Sequence, residues 1–174
     1  QIGDYRDGGI VFYIASPPVD LDGDGDLDTG LVCAIVDQNS GIEWILGGNT
    51  QTTANSGTFT TIGQGQTNTT AMMGQAGYTG GAAKVCNDYS ITVNGIIYSD
   101  WFLPSKDELN QMYEHKATIN TTAAANSGSS FSTNIYWSST EDDNDAAWEQ
   151  SFFNGSQFNY DKFTPEYVRA VRAF

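Results

Sequence analysis

Short apolar runs separated by Gly-, Asn- and Thr-rich stretches set the pattern of this chain. Residues 9–14 are β-branched and aromatic, are entered through Gly8, and predict a buried strand. Residues 31–36 (Leu-Val-Cys-Ala-Ile-Val) predict the strand that returns beside it, so the acidic stretch 17–30 becomes the loop of a hairpin. Residues 41–46 are a third short strand candidate. Gly, Thr, Gln and Asn dominate residues 47–69, which predict a long surface loop, either mobile or functional. Short helical pieces are expected over 69–75 and 80–88, the second with Ala82, Ala83, Val85 and Cys86 facing inward.

The clearest helix follows Pro104. Ser105 and Glu108 form a capping box, in which the Ser105 hydroxyl accepts from the Glu108 amide and the Glu108 carboxylate reaches back to the Ser105 amide. Leu109, Met112 and Tyr113 then recur at helical spacing. Residues 117–134, rich in Ala, Thr, Asn and Ser, predict a loop. Beyond them come strands over 135–140, 147–152, 158–160 and 167–172, with Asn154-Gly155 as the strongest hairpin-turn signal. Helices before and antiparallel strands after define an α+β domain.

The length of 174 residues fits one domain, residues 1–174, with a core of useful size. Charged residues are only 16%, and the net charge is 7 − 21 = −14. Nucleic acid and anionic membrane are therefore poor partners, since phosphates must be met by Lys and Arg. No apolar run approaches the ~20 residues of a spanning helix, so no direct membrane insertion is expected. The composition suits an extracellular protein. The chain opens at Gln1, and a larger parent protein is expected.

Three groups of residues could carry chemistry. Asp20, Asp22, Asp24, Asp26 and Asp28 place carboxylates at alternate positions, with Gly25 sixth and Leu27 eighth in the loop, as a curled calcium loop needs. Position twelve is Leu31, where an EF-hand needs a bidentate Glu, so the stretch is more like the DxDxDGxxD calcium repeats of extracellular proteins. The competing reading is a solvated acidic hairpin tip. Cys33 and Cys86 sit in apolar contexts and read as small buried hydrophobes, or else as a single bridge. His115, the only histidine, ends the capped helix and reads as a helix C-terminal cation. No nucleophile–base pair, P-loop or CxxC motif is present.

Seven aromatics, Trp148, Phe152, Phe153, Phe158, Tyr160, Phe163 and Tyr167, lie among Asp, Asn, Ser and Gln near the end of the chain. Period-two alternation sends about half of them inward, leaving the others exposed or at an interface. Exposed aromatics among small polar residues match a paratope in composition.

Residues 99–109, Ser-Asp-Trp-Phe-Leu-Pro-Ser-Lys-Asp-Glu-Leu, resemble the W-(F/R)-L-P-(S/T)-x-x-E-L signature of a bacterial C-type-lectin-like family that includes the C-terminal domains of collagen-like adhesins. Tyr136-Trp137-Ser138-Ser139-Thr140-Glu141, Ala147-Trp148, Asn154-Gly155, Lys162 and residues 167–174 resemble the same family. The C-terminal part is most similar to the variable proteins of diversity-generating retroelements, in which adenine-directed mutagenesis rewrites chosen codons on a fixed scaffold. That resemblance implies a C-type-lectin-like fold with a variable region over 136–174. It makes Trp137, Ser138, Ser139, Trp148, Gly155, Arg169 and Arg172 scaffold. It assigns ligand binding to Asp142, Asp143, Asn144, Asp145, Ser151, Phe153, Ser156, Phe158, Tyr160, Asp161, Phe163 and Thr164. It implies recognition of a protein or cell-surface ligand, no catalysis, and a place on the outside of a cell or on a phage virion. The alternatives are a fixed adhesin binding carbohydrate or matrix and an oxidase of the formylglycine-generating kind, which shares the fold and needs a reactive cysteine pair. No Glu-Pro-Asn or Gln-Pro-Asp triplet of sugar-binding C-type lectins occurs, and the acidic loop lies outside the family pattern.

Overall fold

The computed structural model describes residues 1–46 and 58–174, so residues 47–57 of the expected long loop lie outside the described residues. The expected first hairpin is present. Strand β1 (Tyr5–Arg6) pairs with β2 (Gly9–Val19), and β2 pairs antiparallel with β3 (Asp28–Ala34), with the acidic loop between them. The chain returns at its end to add β11 (Val171–Ala173) beside β3, giving a four-stranded sheet in the order β1-β2-β3-β11.

The second sheet has five strands. They are β4 (Asn39–Ile42), β7 (Ile135–Glu141), β8 (Ala146–Ser151), β9 (Gln157–Asp161) and β10 (Glu166–Val168), in the order β4-β10-β7-β8-β9. The third strand candidate, 41–46, thus begins and ends earlier than expected. The final strand, 167–172, is two strands. Val168 ends β10 and Val171 opens β11, and the intervening Arg169 turns inward to donate from Nε to Asp37 Oδ1 at 2.7 Å. One run therefore serves both sheets, and the break between them is where the buried guanidinium is anchored.

Helices α1 (Gly65–Met73) and α2 (Ala82–Asn87) match the two expected pieces, α1 starting four residues early. Between α2 and the next helix lies a small hairpin, β5 (Ile91–Val93) and β6 (Ile96–Tyr98). Its turn is Asn94-Gly95, both at positive φ (51° and 84°), as a two-residue primed turn requires. Asn154-Gly155 instead sits inside a five-residue connection, residues 152–156, between β8 and β9. Gly155 still needs its missing Cβ: at φ 83° it lies against the Tyr113 ring, where a Cβ would fall 2.3 Å from a ring carbon.

Helix α3 (Lys106–Glu114) starts with the expected capping box, both reciprocal bonds present. A further helix, α4 (Lys116–Ala125), occupies much of the segment expected to be a loop. Ile119 and Ala123, one turn apart, are buried against the core and hold it there.

Two apolar clusters fill the molecule. One, around Ile10, Phe12, Leu109, Met112, Tyr136 and Phe152, lies under α3 and α4. The other, around Trp44, Met72, Trp101, Leu103, Trp137 and Val168, lies on the opposite face of the five-stranded sheet. The alternation of β7 assigns neighbours to opposite clusters: Tyr136 packs in the first and Trp137 in the second.

Candidate functional site

Most of the residues expected to bind ligand sit in the turns at either end of β8 and β9, and the rest on the two strands themselves. At one end, the Lys162 ammonium is buried and donates to the Glu141 carboxylate, to Asp143 O at 2.7 Å and to Asn144 O at 3.0 Å. Its backbone amide donates to Asp145 O at 3.0 Å. One side chain thus ties the turn 142–145 to the turn 161–164. Burial pushes the Lys162 ammonium below its usual range, against the pull of Glu141.

Several predicted contact residues also serve their own backbone. Asp143 Oδ1 accepts from Asp145 N and Ala146 N, both at 2.8 Å, and these bonds hold its carboxyl below the usual range. Asp161 Oδ1 accepts from Phe163 N at 2.9 Å, and Asp142 accepts from Asn159 Nδ2. Asn144 and Asp145 are exposed, and Thr164 is half-buried.

The twelve predicted residues do not form one cluster. Asp142 to Asp145, Asp161, Phe163 and Thr164 gather at the end where β8 begins and β9 ends. Ser151, Phe153 and Ser156 lie at the other end, about 15 Å away at ~3.3 Å per strand residue. Phe158 and Tyr160 lie between the ends, on β9 at the sheet edge. Phe153, Tyr160 and Phe163 are exposed at 75%, 54% and 42%, and Phe158 is half-buried. Position 153 is separated from 158 because the chain reverses direction between them.

Trp148 is not core as expected of a scaffold residue. It is half-buried on the sheet face opposite Phe158, and the Lys106 ammonium stands 3.1 Å from its ring centroid. Trp137 is fully buried, with Nε1 donating to Ile42 O at 3.0 Å.

The register also brings together two acids that none of the motifs marks. Glu149 pairs with Trp137 on one side and Phe158 on the other, so all three project from one face. Tyr167 pairs with Tyr136, which puts Glu166 on the same face as Glu149. Glu149 is 2% exposed, and its Oε2 has no hydrogen-bond partner. Burial first, then the neighbouring Glu166, push it up to about 8. One signal in the chain does point to it: alternation from the small apolar Ala147 sends Glu149 to the same side.

In the acidic loop, Asp20, Asp22 and Asp28 bring carboxylate oxygens within 4.8 Å of one another. Asp24 and Asp26 are not in that group; Asp24 Oδ1 instead accepts from Asp26 N at 2.8 Å. Asp20 accepts from Gly23 N and Gly25 N, and Asp28 from Leu21 N, which curls the loop. Burial and mutual repulsion raise the Asp22 and Asp28 carboxyls.

Cys33 and Cys86 are free, fully buried, and sit in different clusters. Burial pushes the Cys33 thiol up to about 12 and Cys86 upward as well. A reactive pair needs thiolates in reach of each other, and these have neither property.

An α+β scaffold that presents aromatic and acidic side chains on pinned turns and buries its thiols has the make-up of a binding domain. The chain belongs to the Lcl C-terminal domain family, whose pattern matches residues 33–172. This is the family that the 99–109 and 136–174 motifs resemble, and it is a family of binding domains. The match begins after the acidic loop, so that loop stands on its own residues. A search among curated proteins returns no match.

Proposed function

We propose that this domain has the C-type-lectin-like fold and is the recognition module of an exported or virion protein, binding a protein or cell-surface ligand through a diversified face. The face consists of β9 and the turns 142–145 and 161–164. The observation that carries this reading is the pairing of exposed Tyr160 and Phe163 with a buried lysine that fixes the backbone beneath them. Rigid aromatic anchors supply contact area at low entropic cost, and small polar neighbours adapt. Ser151, Phe153 and Ser156, at the far end, lie outside this face.

Sequencing the locus from many cells of one population tests the diversification. Substitutions should crowd into codons 141–166 and trace to template adenines, while Trp137, Lys162 and Arg169 stay fixed. Evenly scattered variation would leave a fixed adhesin as the better account. Binding is tested by alanine substitution once a partner is captured. Tyr160→Ala and Phe163→Ala should change stability by less than about 0.5 kcal/mol, yet weaken binding at least tenfold, as anchors of an interface do.

We further propose calcium in the acidic loop, held by Asp20, Asp22 and Asp28, with Asp24 and Asp26 as shaping residues. Three convergent carboxylates, two of which (Asp22 and Asp28) are raised by burial and mutual repulsion, suit a hard cation that takes oxygen ligands. Calcium at ~100 times its dissociation constant should stabilise the fold by about 2.7 kcal/mol. Chelation should lower Tm and added calcium restore it. An unchanged melting curve in chelator leaves only a solvated hairpin tip.

A further inference from the structure

The buried face of β8 holds an acid that the scaffold leaves without a partner. Glu149 Oε2 is enclosed and makes no hydrogen bond, although buried polar atoms are as a rule paired. Among the described residues, none of the ion pairs involves Glu149 or Glu166. Glu166 is half-buried, and burial raises its carboxyl too. Among the described residues the charge that acts on Glu149 is that of Glu166: β7 supplies Trp137, β9 supplies Phe158 and Tyr160, β10 supplies this second carboxyl, and the buried Lys162 beyond β9 is paired with Glu141. An ionised carboxylate here is costly until a positive charge meets it.

We propose that Glu149 and Glu166 are the acidic floor of the recognition face and take an ammonium or guanidinium group of the partner, with residue 158 as its variable cover. The inference rests on reading positions 158 and 160 as recognition positions. Phe158 stands directly across from Glu149 on the same face, and Tyr160 stands across from Ala147 beside it. Opposite residues of a strand pair lie within side-chain contact, so the residue at 158 governs access to the acid. The Tyr160 ring offers a π face to an arriving cation. A net charge of −14 draws such partners in. A calcium ion is a poorer occupant, because it needs six to eight oxygens and the neighbours here are aromatic. A fixed acid under a variable cover lets one scaffold keep a common anchor while its selectivity changes.

Butylammonium and ethylguanidinium, titrated into the full chain and followed by carbon NMR of the glutamate carboxyls, test this. The cation must displace the proton that Glu149 holds below about pH 8. Apparent affinity should therefore rise by up to about tenfold per pH unit from pH 6 to 8, with proton release on binding. Glu149→Gln should cut affinity at least tenfold and remove the pH dependence, and Phe158→Ala should strengthen binding by opening the acid. A titration that leaves the Glu149 carboxyl unmoved, or one with equal affinity at pH 6 and 8, overturns the proposal, as does binding that survives Glu149→Gln. Because the cations are tested directly, such a failure leaves the diversified face standing, and even variation across the locus sinks that face without touching this titration.

Discussion

Trp137→Ala should cost about 3–5 kcal/mol of unfolding free energy, whereas Trp148→Ala should cost about 1 kcal/mol. The two tryptophans occupy neighbouring strands and both match the family motif, yet their surroundings differ. Trp137 is fully enclosed among Trp44, Trp101 and Val168. Its loss opens a large cavity and strips the Ile42 carbonyl of its indole donor. Trp148 is half-buried, and its main partner is the Lys106 ammonium over its ring, an interaction worth about 0.5–1 kcal/mol at an exposed site. Urea denaturation of the two variants checks the difference. Equal losses would mean that Trp148 is as much a part of the core as Trp137.

Where the signal was local, the sequence was legible. The capping box at Ser105 and Glu108 needs only residues three apart in the chain, and α3 begins where it says. The hairpin around the acidic loop was likewise readable, because two dense apolar runs flank it. Helix α4 was not readable. Its Ala residues favour a helix, but Thr118, Thr121 and Thr122 dilute that propensity and no side-chain cap marks its start, so it forms because Ile119 and Ala123 find the core. The division of 167–172 was hidden for a related reason: the strand pattern is continuous, and only the tertiary pull of Asp37 on Arg169 shows where one sheet ends. In the binding region, alternation marked Phe158 and Tyr160 as sharing a face. It could not show that the connection 152–156 carries Phe153 to the other end of the sheet. Nor does a charge balance reveal which of twenty-one acids is buried without a partner.

Glu108→Ala should be more damaging still than loss of a cap. Its carboxylate is fully buried and joins two segments: Oε2 accepts from Ser105 N at 2.7 Å, and Oε1 from Gly63 N at 2.8 Å and Gly65 N at 3.3 Å. Three amides left unpaired, at about 1–3 kcal/mol each, put the expected loss at roughly 3–9 kcal/mol. The segment 58–65 held by Glu108 also bonds Thr140 and Glu141 at the end of β7, so the neighbouring turn 142–145 should loosen with it. Titration adds a sign. Burial raises Glu108 to about 7, despite the opposing backbone amides, and Glu149 to about 8, both from an ordinary value of 4.5. A raised acid favours the fold while it is protonated. Its contribution is full below 4.5 and is lost as pH rises through 7 for Glu108 and 8 for Glu149. In calcium-free buffer, unfolding free energy should therefore fall by a few kcal/mol between pH 4.5 and 8, since each tenfold difference in proton affinity between the folded and unfolded chain is worth ~1.4 kcal/mol. Glu108→Gln should reduce that slope up to about pH 7, and Glu149→Gln should reduce it across the whole window to about pH 8. A wild-type protein that gains stability across this window would show that both carboxyls fold in their ionised form.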